Sequence, residues 1–343
     1  MKVYFKKSIF QIGLLAKIHK LKNRNKLTVV MFHRVLSVND PHWKGCDIEW
    51  TVTDEVFEQC LYFFKKYYNI VSLMDVLSSY KHGTCLPENP LLITFDDGWA
   101  DNEKYALPIL KKYNMPAVVF IVSDVVDKKE SFWEEHIYSA WKTNQLHLDL
   151  SCCPIKDLVS SSLKSEKDIR QFIATIGQLP LIAKNSLLKL ICEQLPAFSP
   201  DAMLTTAQVD CLMSAGIDIG SHGASHTPLL KSENLDTELY SSKEYIVKTI
   251  LNSEYSTDID ICLSFPHGSY DSTVVKMAFA AGYQLLFTSD PYLVPLKKGK
   301  LSKRVLGRIS IPQSAIVDQE GNFSAVQLAF WLMNRSAQKL TDN

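Results

Sequence analysis

A regular alternation of β-rich apolar runs with helical segments limits the possible folds more than any other feature of this sequence. The β-rich runs include "KLTVVMF" at 26–32, "LLITF" at 91–95, "AVVFIV" at 117–122 and "YQLLFT" at 283–288. The segments between them carry apolar residues at helical spacing. Strands that are apolar on both faces are typical of parallel sheets covered by helices. The alternation therefore predicts an α/β fold built on a parallel sheet or barrel.

Length and composition place the chain among large globular proteins. It has 343 residues, 46% hydrophobic and 22% charged, which suits one barrel-sized domain with an insertion. We predict this domain over residues 27–343, with a helical insertion over residues 127–200, which contain no β-rich run. The formal net charge of +0 provides no electrostatic footprint for nucleic acid, and no nucleic-acid partner is predicted. Eight cysteines without a C-x-x-C spacing indicate free thiols in a reducing compartment.

The first 26 residues differ in charge from the rest of the chain. They contain eight lysines and arginines and no acidic residue, around the apolar stretch "SIFQIGLLA". This stretch is too short to span a bilayer, and lysines follow it in place of a cleavage site. Residues 1–26 are predicted to be either a basic amphipathic helix on an anionic membrane or a solvated helix packed on the domain. The predicted location is cytoplasmic, peripheral to the inner membrane, with export as the less favoured alternative.

The stretch "LLITFDDGWADN", residues 91–102, ends a buried strand with two adjacent carboxylates, Asp96 and Asp97. Asp-Gly is a common turn sequence, and an aspartate also caps a following helix. A third possibility is a cation site, because active sites collect at the carboxyl ends of parallel strands. The remaining motifs decide between these interpretations.

A second motif, "IGSHGASHTPLL" at 219–230, contains His222 and His226. Their i, i+4 spacing puts both rings on one face if the segment forms a helical turn. Two histidines and one carboxylate are a common catalytic zinc set. Taken together with the strand-ending aspartates, the pair favours a metal site.

"TFDDG" followed by "SHGASH" resembles the polysaccharide deacetylases, the NodB-type carbohydrate esterases of family four. The family pattern is Thr-Phe-Asp-Asp-Gly, His-Ser/Thr-x-x-His, Arg-x-Pro-Tyr-Gly and a late Leu-x-His. Here the first element is unchanged and Gly223 replaces Ser/Thr in the second. The third element is "SFPHG" at 264–268, with Ser264 at the arginine position and His267 at the tyrosine position.

The late Leu-x-His has no counterpart, but "VVMFHRV" at 29–35 and "SFWEEHIYSAW" at 131–141 resemble segments of one subgroup. That subgroup includes the poly-N-acetylglucosamine deacetylases, whose motif order is circularly permuted and which carry an early Tyr-His-Arg motif. The resemblance spans about residues 27–312 and implies a distorted (β/α) barrel of about seven strands.

The resemblance also implies a role for several side chains. Three residues are expected to hold a divalent metal, by default Zn²⁺, with Co²⁺, Ni²⁺ or Mn²⁺ as alternatives: Asp97, His222 and His226. Asp96 is then the general base, and His33 the general acid in place of the late histidine. The backbone N–H of His267 is expected to contribute to the oxyanion hole.

Other residues are expected to complete the site. Arg308, or alternatively Arg34, is the candidate for the missing arginine that orients the base. Asp290 is a candidate to orient the acid histidine, with a turn or a cap as its equal alternative. The residues expected to contact the sugar, with aromatic core packing as the alternative for each tryptophan, are Trp99, Trp133, Phe265 and Pro266.

The activity implied is removal of N-acetyl groups from an N-acetylamino sugar of a surface polysaccharide or of its lipid-linked precursor. The expected partners are this saccharide or glycolipid and an anionic membrane contacted through residues 1–26. One alternative is an O-deacetylase or another C–N hydrolase on the same scaffold. The other is a non-catalytic carbohydrate-binding protein, favoured by the missing Arg and Leu-x-His motifs.

Overall fold

The computed structural model describes residues 14–128, 131–148, 163–196, 201–251 and 259–333 of the chain. Within these ranges the strands are β1 (Lys26–Phe32), β2 (Arg34–Leu36), β3 (Thr51–Thr53), β4 (Asn69–Ile70), β5 (Pro90–Phe95), β6 (Val118–Ile121), β7 (Asp218–Ser221), β8 (Leu263–Ser264), β9 (Leu286–Phe287), β10 (Val294–Pro295), β11 (Val305–Leu306) and β12 (Ile309–Ser310). One sheet contains all of them except β2 and β3, which pair with each other.

The large sheet curves into a nearly closed parallel barrel. Its order is β1-β5-β6-β7-β8-β9-β11, and β12 returns to pair with β1. β11 pairs with β9 and β12 pairs with β1, both in parallel, so the last chain segment bridges the two sides of the barrel. Only Gly307 and Arg308 separate β11 from β12. Counted as one interrupted strand, this segment is the seventh around the barrel, and the predicted fold class is confirmed.

The α-helices form the outer layer and the insertion. Their bounds are Leu14–Asn23, Asp54–Tyr67, Leu73–His82, Leu107–Tyr113, Trp133–Lys142, Glu166–Gly177, Leu181–Cys192, Thr206–Ser214, Ser242–Tyr245, Ser272–Ala280, Gln313–Ile316 and Ala325–Met333. Single π-helical turns precede Leu107 and flank Ser242–Tyr245. The sequence from about 233 to 252 predicts one long helix, but residues 237–250 form an irregular run of π-helical and α-helical turns. π-Helical turns insert one extra residue per turn and are frequent near functional sites.

The local sequence explains why these elements form where they do. β5 is buried along its whole length, as its uninterrupted apolar sequence requires. The helix Asp54–Tyr67 begins where the Thr53 hydroxyl accepts a hydrogen bond from the Val56 amide, and Ser72 and Asp75 form a capping box for Leu73–His82. These caps fix the points at which the chain leaves each strand, and hence the positions of the loops at the barrel rim.

The predicted insertion contains three of the described helices, Trp133–Lys142, Glu166–Gly177 and Leu181–Cys192. They pack around a small apolar core of their own that includes Ile137, Phe172 and Ile191. No described helix is long and apolar enough to cross a membrane. Of the basic segment predicted over 1–26, residues 1–13 lie outside the described residues, and the remainder forms the helix Leu14–Asn23 and the start of β1.

The β-rich run "RVLGRISI" at 304–311 predicts one last strand. This prediction is wrong, because the strand breaks between Leu306 and Ile309. Gly307 lies against the Tyr292 ring so closely that a Cβ atom there comes within 2.4 Å of Cε1 of Tyr292. The chain leaves the barrel surface at this point and turns Arg308 into the interior, where its side chain is 0% exposed.

Candidate metal centre and active site

The carboxyl ends of the barrel strands bring the predicted residues to one edge of the fold. His33 follows β1, Asp96 and Asp97 follow β5, and His222 follows β7 directly. Because these strands are parallel members of one barrel, residues far apart in sequence meet at the same end of it. This end is the one at which the strand-ending aspartates predicted a cation site.

Asp97, His222 and His226 form a compact group that can hold a metal ion. Oδ1 of Asp97 lies 3.4 Å from Nε2 of His222 and 3.4 Å from Nε2 of His226. The three ligand atoms lie within 4.8 Å of one another. Two imidazole nitrogens and one carboxylate oxygen leave coordination positions open for water and substrate.

Hydrogen bonds orient two of these ligands. The carbonyl oxygen of Ser264 lies 2.9 Å from Nδ1 of His222 and accepts a hydrogen bond from the N–H group there. The lone pair of the neutral ring is then on Nε2, which faces Asp97. The indole N–H of Trp99 donates to Oδ2 of Asp97 at 2.9 Å, so Oδ1 remains available to a cation. This arrangement of outer partners is the one expected around a metal site.

The backbone around the ligands adopts left-handed conformations. Asp97, His226 and Gly223 have φ values of 78°, 63° and 78°. Side-chain-bearing residues rarely adopt this region, and they persist in it where the surrounding structure holds them. The segment from His222 to His226 is not a helical turn, so the condition for the i, i+4 interpretation of the two rings is not met. A loop with positive φ at two positions brings the rings together instead, with their centroids 5.2 Å apart.

The buried side chain of Glu238 holds this loop, although Glu238 belongs to none of the sequence motifs. Its Oε2 accepts hydrogen bonds from the amides of Ala224 and Ser225 at 2.9 and 3.1 Å, and its Oε1 accepts one from the Ser225 hydroxyl. Glu238 is only 6% exposed. No local pattern marks it, because its partners lie 13 and 14 residues earlier in the chain.

Arg308 holds Asp96 in a bidentate ion pair. Its two terminal nitrogens donate to Oδ1 and Oδ2 of Asp96 at 2.7 and 2.6 Å. The same guanidinium donates to the Ser264 hydroxyl at 2.7 Å and to the Thr288 carbonyl at 3.0 Å. Burial acts to raise the pKa of Asp96, but the nearby Arg308 and His222 outweigh it, so this pKa lies below its usual value.

Arg308 thus makes the contact to Asp96 that was expected of an arginine at position 264, where this chain has Ser264. Ser264 takes part as well, since its hydroxyl donates to Oδ2 of Asp96 at 3.1 Å. Arg34, the alternative candidate, makes no such contact. It pairs with Asp101 and Glu135, each at 2.8 Å, and its guanidinium lies 4.1 Å from the centre of the Trp99 ring.

His33 lies at the end of β1, where its backbone carbonyl accepts a hydrogen bond from the Asn102 side chain at 2.8 Å. Burial lowers the pKa of its imidazole below the ordinary value, and the charges of Asp97 and Asp96 partly oppose this effect. Because the charges of Asp96 and Asp97 act on the pKa of the His33 ring, His33 lies close to the candidate metal ligands. Its assignment as general acid stays a prediction.

Most of the residues predicted to contact the sugar are buried. Trp99 is 3% exposed and is occupied with Asp97, while Phe265 is 0% exposed and stacks on Tyr270 at 4.8 Å. Pro266 is buried beside Gly223. These three side chains shape the walls of the site and offer no open face to a sugar, which corrects the prediction. Trp133 is partly exposed and remains a candidate.

His267 follows β8 in a left-handed turn with φ of 54°. Its ring lies 4.3 Å from that of His226, and its Nε2 lies 3.1 Å from the His226 carbonyl, to which it donates. The expected contribution of its backbone N–H to an oxyanion hole stays a prediction. Asp290 accepts a hydrogen bond from the Tyr270 hydroxyl and therefore holds that ring.

The sequence family agrees with this geometry. The family model for polysaccharide deacetylases matches residues 83–286. The chain belongs to the polysaccharide deacetylase family, as its motifs predicted. A 50-residue stretch is 44% identical to YxkH of Bacillus subtilis, whose name also places it among these proteins. That match covers 15% of this chain and 18% of YxkH.

Solved structures share the fold over most of the chain. The Streptococcus pyogenes deacetylase PplD, in complex with acetate, matches with a TM-score of 0.56 and 19% identity over 90% of this chain and 99% of that one. IcaB from Ammonifex degensii matches with a TM-score of 0.55 and 15% identity over 90% and 97% of the two chains. BC0361, a polysaccharide deacetylase from Bacillus cereus, matches with a TM-score of 0.52 and 17% identity over 90% and 69%.

Proposed function

We propose that the protein is a metal-dependent hydrolase that removes N-acetyl groups from an N-acetylamino sugar of a surface polysaccharide or of its lipid-linked precursor. The observation that carries the proposal is the side-by-side placement of two differently held carboxylates. Asp97 faces two histidine nitrogens at 3.4 Å, while Asp96 is held by an arginine at 2.6 and 2.7 Å. These different surroundings support the assignment of Asp97 as a metal ligand and of Asp96 as the base.

The donor set suits zinc, because two imidazole nitrogens and one carboxylate are ligands that Zn²⁺ binds with open positions. The hydrogen bond from Nδ1 of His222 to Ser264 leaves the correct nitrogen free to coordinate. Co²⁺, Ni²⁺ and Mn²⁺ accept the same ligands. When bound, such an ion lowers the pKa of a water molecule and polarises the substrate carbonyl.

The remaining chemistry belongs to the side chains. Asp96, kept ionised by Arg308, accepts a proton from the attacking water. The backbone N–H of His267 donates to the oxygen on which negative charge develops. His33 delivers a proton to the amide nitrogen, which then leaves as the amine of the sugar. The products are acetate and a free amino sugar.

We also propose that the protein works at the cytoplasmic face of the inner membrane on a lipid-linked saccharide. The helix Leu14–Asn23 has two exposed apolar residues, Ile18 (42%) and Leu21 (70%), and ends with Lys20 and Lys22. An apolar edge bordered by lysines suits an anionic bilayer surface. The described cysteines are free thiols, which supports a reducing compartment.

Cosedimentation with vesicles tests this location. We expect binding to phosphatidylglycerol vesicles and not to phosphatidylcholine vesicles, with loss of binding in Lys20→Glu/Lys22→Glu. Equal recovery with both kinds of vesicle, or no recovery with either, contradicts the membrane proposal and leaves the hydrolase proposal intact.

Acetate release tests the activity. Wild type and Asp96→Asn are each stripped of metal, reloaded with zinc, and incubated with N-acetylglucosamine oligomers and with a bacterial glycolipid extract. We expect acetate only from the reloaded wild type. A parallel assay with a sugar that carries O-acetyl groups and no amide distinguishes an esterase from an amidase. Metal binding without acetate from any of these substrates favours a carbohydrate-binding protein.

A further inference from the structure

Trp50 is a large exposed aromatic residue beside the candidate acid histidine. Its side chain is 47% exposed, whereas Trp99 and Phe132 nearer the metal group are 3% and 8% exposed. The centre of its ring system lies 4.7 Å from the centre of the His33 ring, with the planes inclined at 60°. An exposed aromatic face beside a proposed reacting group is a candidate contact for a ligand bound there.

The loop that carries Trp50 is held at both ends. The Trp50 amide donates to the Asp47 carbonyl at 3.2 Å, and the Trp50 carbonyl accepts from the Arg34 amide at 3.1 Å. The Thr51 hydroxyl donates to the Asp47 carbonyl at 2.7 Å, and the Glu49 amide to the Asp47 carboxylate at 2.9 Å. Trp50 is therefore an exposed ring on a fixed backbone, and ordering it on ligand binding has a small entropic cost.

Asp47 in turn is held by the helical insertion. Arg170, on the helix Glu166–Gly177, donates through both terminal nitrogens to the two carboxylate oxygens of Asp47, each at 2.8 Å. The side chain of Asp47 is 8% exposed and that of Arg170 is 31% exposed, so the pair is shielded from solvent on the Asp47 side. A bidentate pair fixes direction as well as distance. Arg170, Asp47 and Trp50 thus connect the insertion to the position beside His33.

We propose that Trp50 stacks on the pyranose ring that carries the scissile amide, and that Arg170 and Asp47 are positioning residues for it. The inference rests on the proposed function, in which His33 protonates the nitrogen attached to that ring. The sugar must then lie beside His33, where the indole is. The C–H groups of a pyranose face are apolar and pack flat on an aromatic ring, which Trp50 offers and the buried Trp99 does not.

Two readouts test the inference. The first is the dissociation constant of N-acetylglucosamine oligomers for zinc-loaded Asp96→Asn protein, measured by calorimetry, which requires no turnover. The second is the division of effects between KM and kcat in acetate release. We expect Trp50→Ala to weaken binding and raise KM roughly threefold to tenfold, with kcat and zinc content close to wild type. Trp50→Phe, which keeps a ring, restores most of the affinity.

A matched control and a double-mutant cycle separate Trp50 from general effects of aromatic loss. Tyr62 is 57% exposed on the outer helix Asp54–Tyr67, and Tyr62→Ala is expected to change neither readout. Arg170→Ala is expected to weaken binding, but to add little in a Trp50→Ala background, because it acts through the same ring. Additive losses overturn the positioning role of Arg170.

The outcomes also separate this inference from the proposed function. Acetate release with unchanged affinity in Trp50→Ala overturns the stacking role and leaves the hydrolase. Oligomer binding that depends on Trp50 without acetate release supports the stacking role and contradicts the activity. Failure of the zinc-loaded protein to bind or hydrolyse the oligomers rejects both for this class of sugar.

Discussion

Replacing Arg308 with glutamine leaves the Asp96 carboxylate buried without its two guanidinium hydrogen bonds of 2.7 and 2.6 Å. The side chains of Arg308 and Asp96 are 0% and 3% exposed, so water cannot take over these bonds without opening the barrel. Removing one partner of a buried ion pair typically costs about 3–5 kcal/mol. We expect Arg308→Gln to lower the free energy of unfolding by this amount and to abolish acetate release.

The double variant Asp96→Asn/Arg308→Gln provides the decisive comparison. It carries no charge at either of these two positions, so it should recover a large part of the stability lost in Arg308→Gln, although it stays inactive. Urea unfolding followed by circular dichroism measures both values, and Arg304→Gln is the matched control. Arg304 donates to the carbonyls of Tyr283 and Gln284, so its loss leaves no buried carboxylate unpaired. Strictly additive costs in the double variant refute the reasoning.

Three further predictions concern the site and the barrel. His226→Ala should lose bound zinc, whereas His33→Ala should keep zinc and lose activity, as measured by elemental analysis and acetate release. Full zinc occupancy in His226→Ala contradicts the assignment of His226 as a ligand. Glu238→Ala should weaken zinc binding by roughly 10- to 100-fold through the released loop, and unchanged affinity in a chelator competition contradicts this. Gly307→Ala should cost about 1–3 kcal/mol, because the new methyl group comes within 2.4 Å of the Tyr292 ring; an unchanged urea midpoint shows that the strand break tolerates a side chain.

The barrel and the position of the candidate metal ligands could be predicted from sequence, because both follow from short patterns of neighbouring residues. A buried strand that ends in Asp96 and Asp97 implies a position at the barrel rim wherever that strand lies in the sheet. The histidine motif is equally local. What local order could not show is the conformation of the loop from His222 to His226, since a spacing of four fits a helical turn and this loop alike.

The contacts that support the candidate metal ligands could not be predicted from sequence, for a different reason. Glu238 belongs to no motif, and its partners lie 13 and 14 residues away. Ser264 stands in the third motif, but that position marks a side chain, whereas the contact to His222 is made by the Ser264 carbonyl. Trp50 lies in a polar loop where one aromatic residue carries no periodic signal. The sequence alone left Trp99 between a sugar contact and aromatic core packing, because its exposure depends on the packing of the insertion, including Phe132, whose ring centre lies 5.5 Å away.

The interrupted last strand has a consequence for how an active molecule comes into being. Asp97, His222 and His226, the three candidate metal ligands, all precede residue 230 in the chain. The partner of Asp96 arrives only with Arg308, on the segment that also joins the two sides of the barrel through β9 and β1. The segment that joins the two sides of the barrel is therefore also the one that pairs with Asp96. We expect a chain truncated before Arg308 to release no acetate, because it lacks the ion pair that holds Asp96 although all three candidate metal ligands are present.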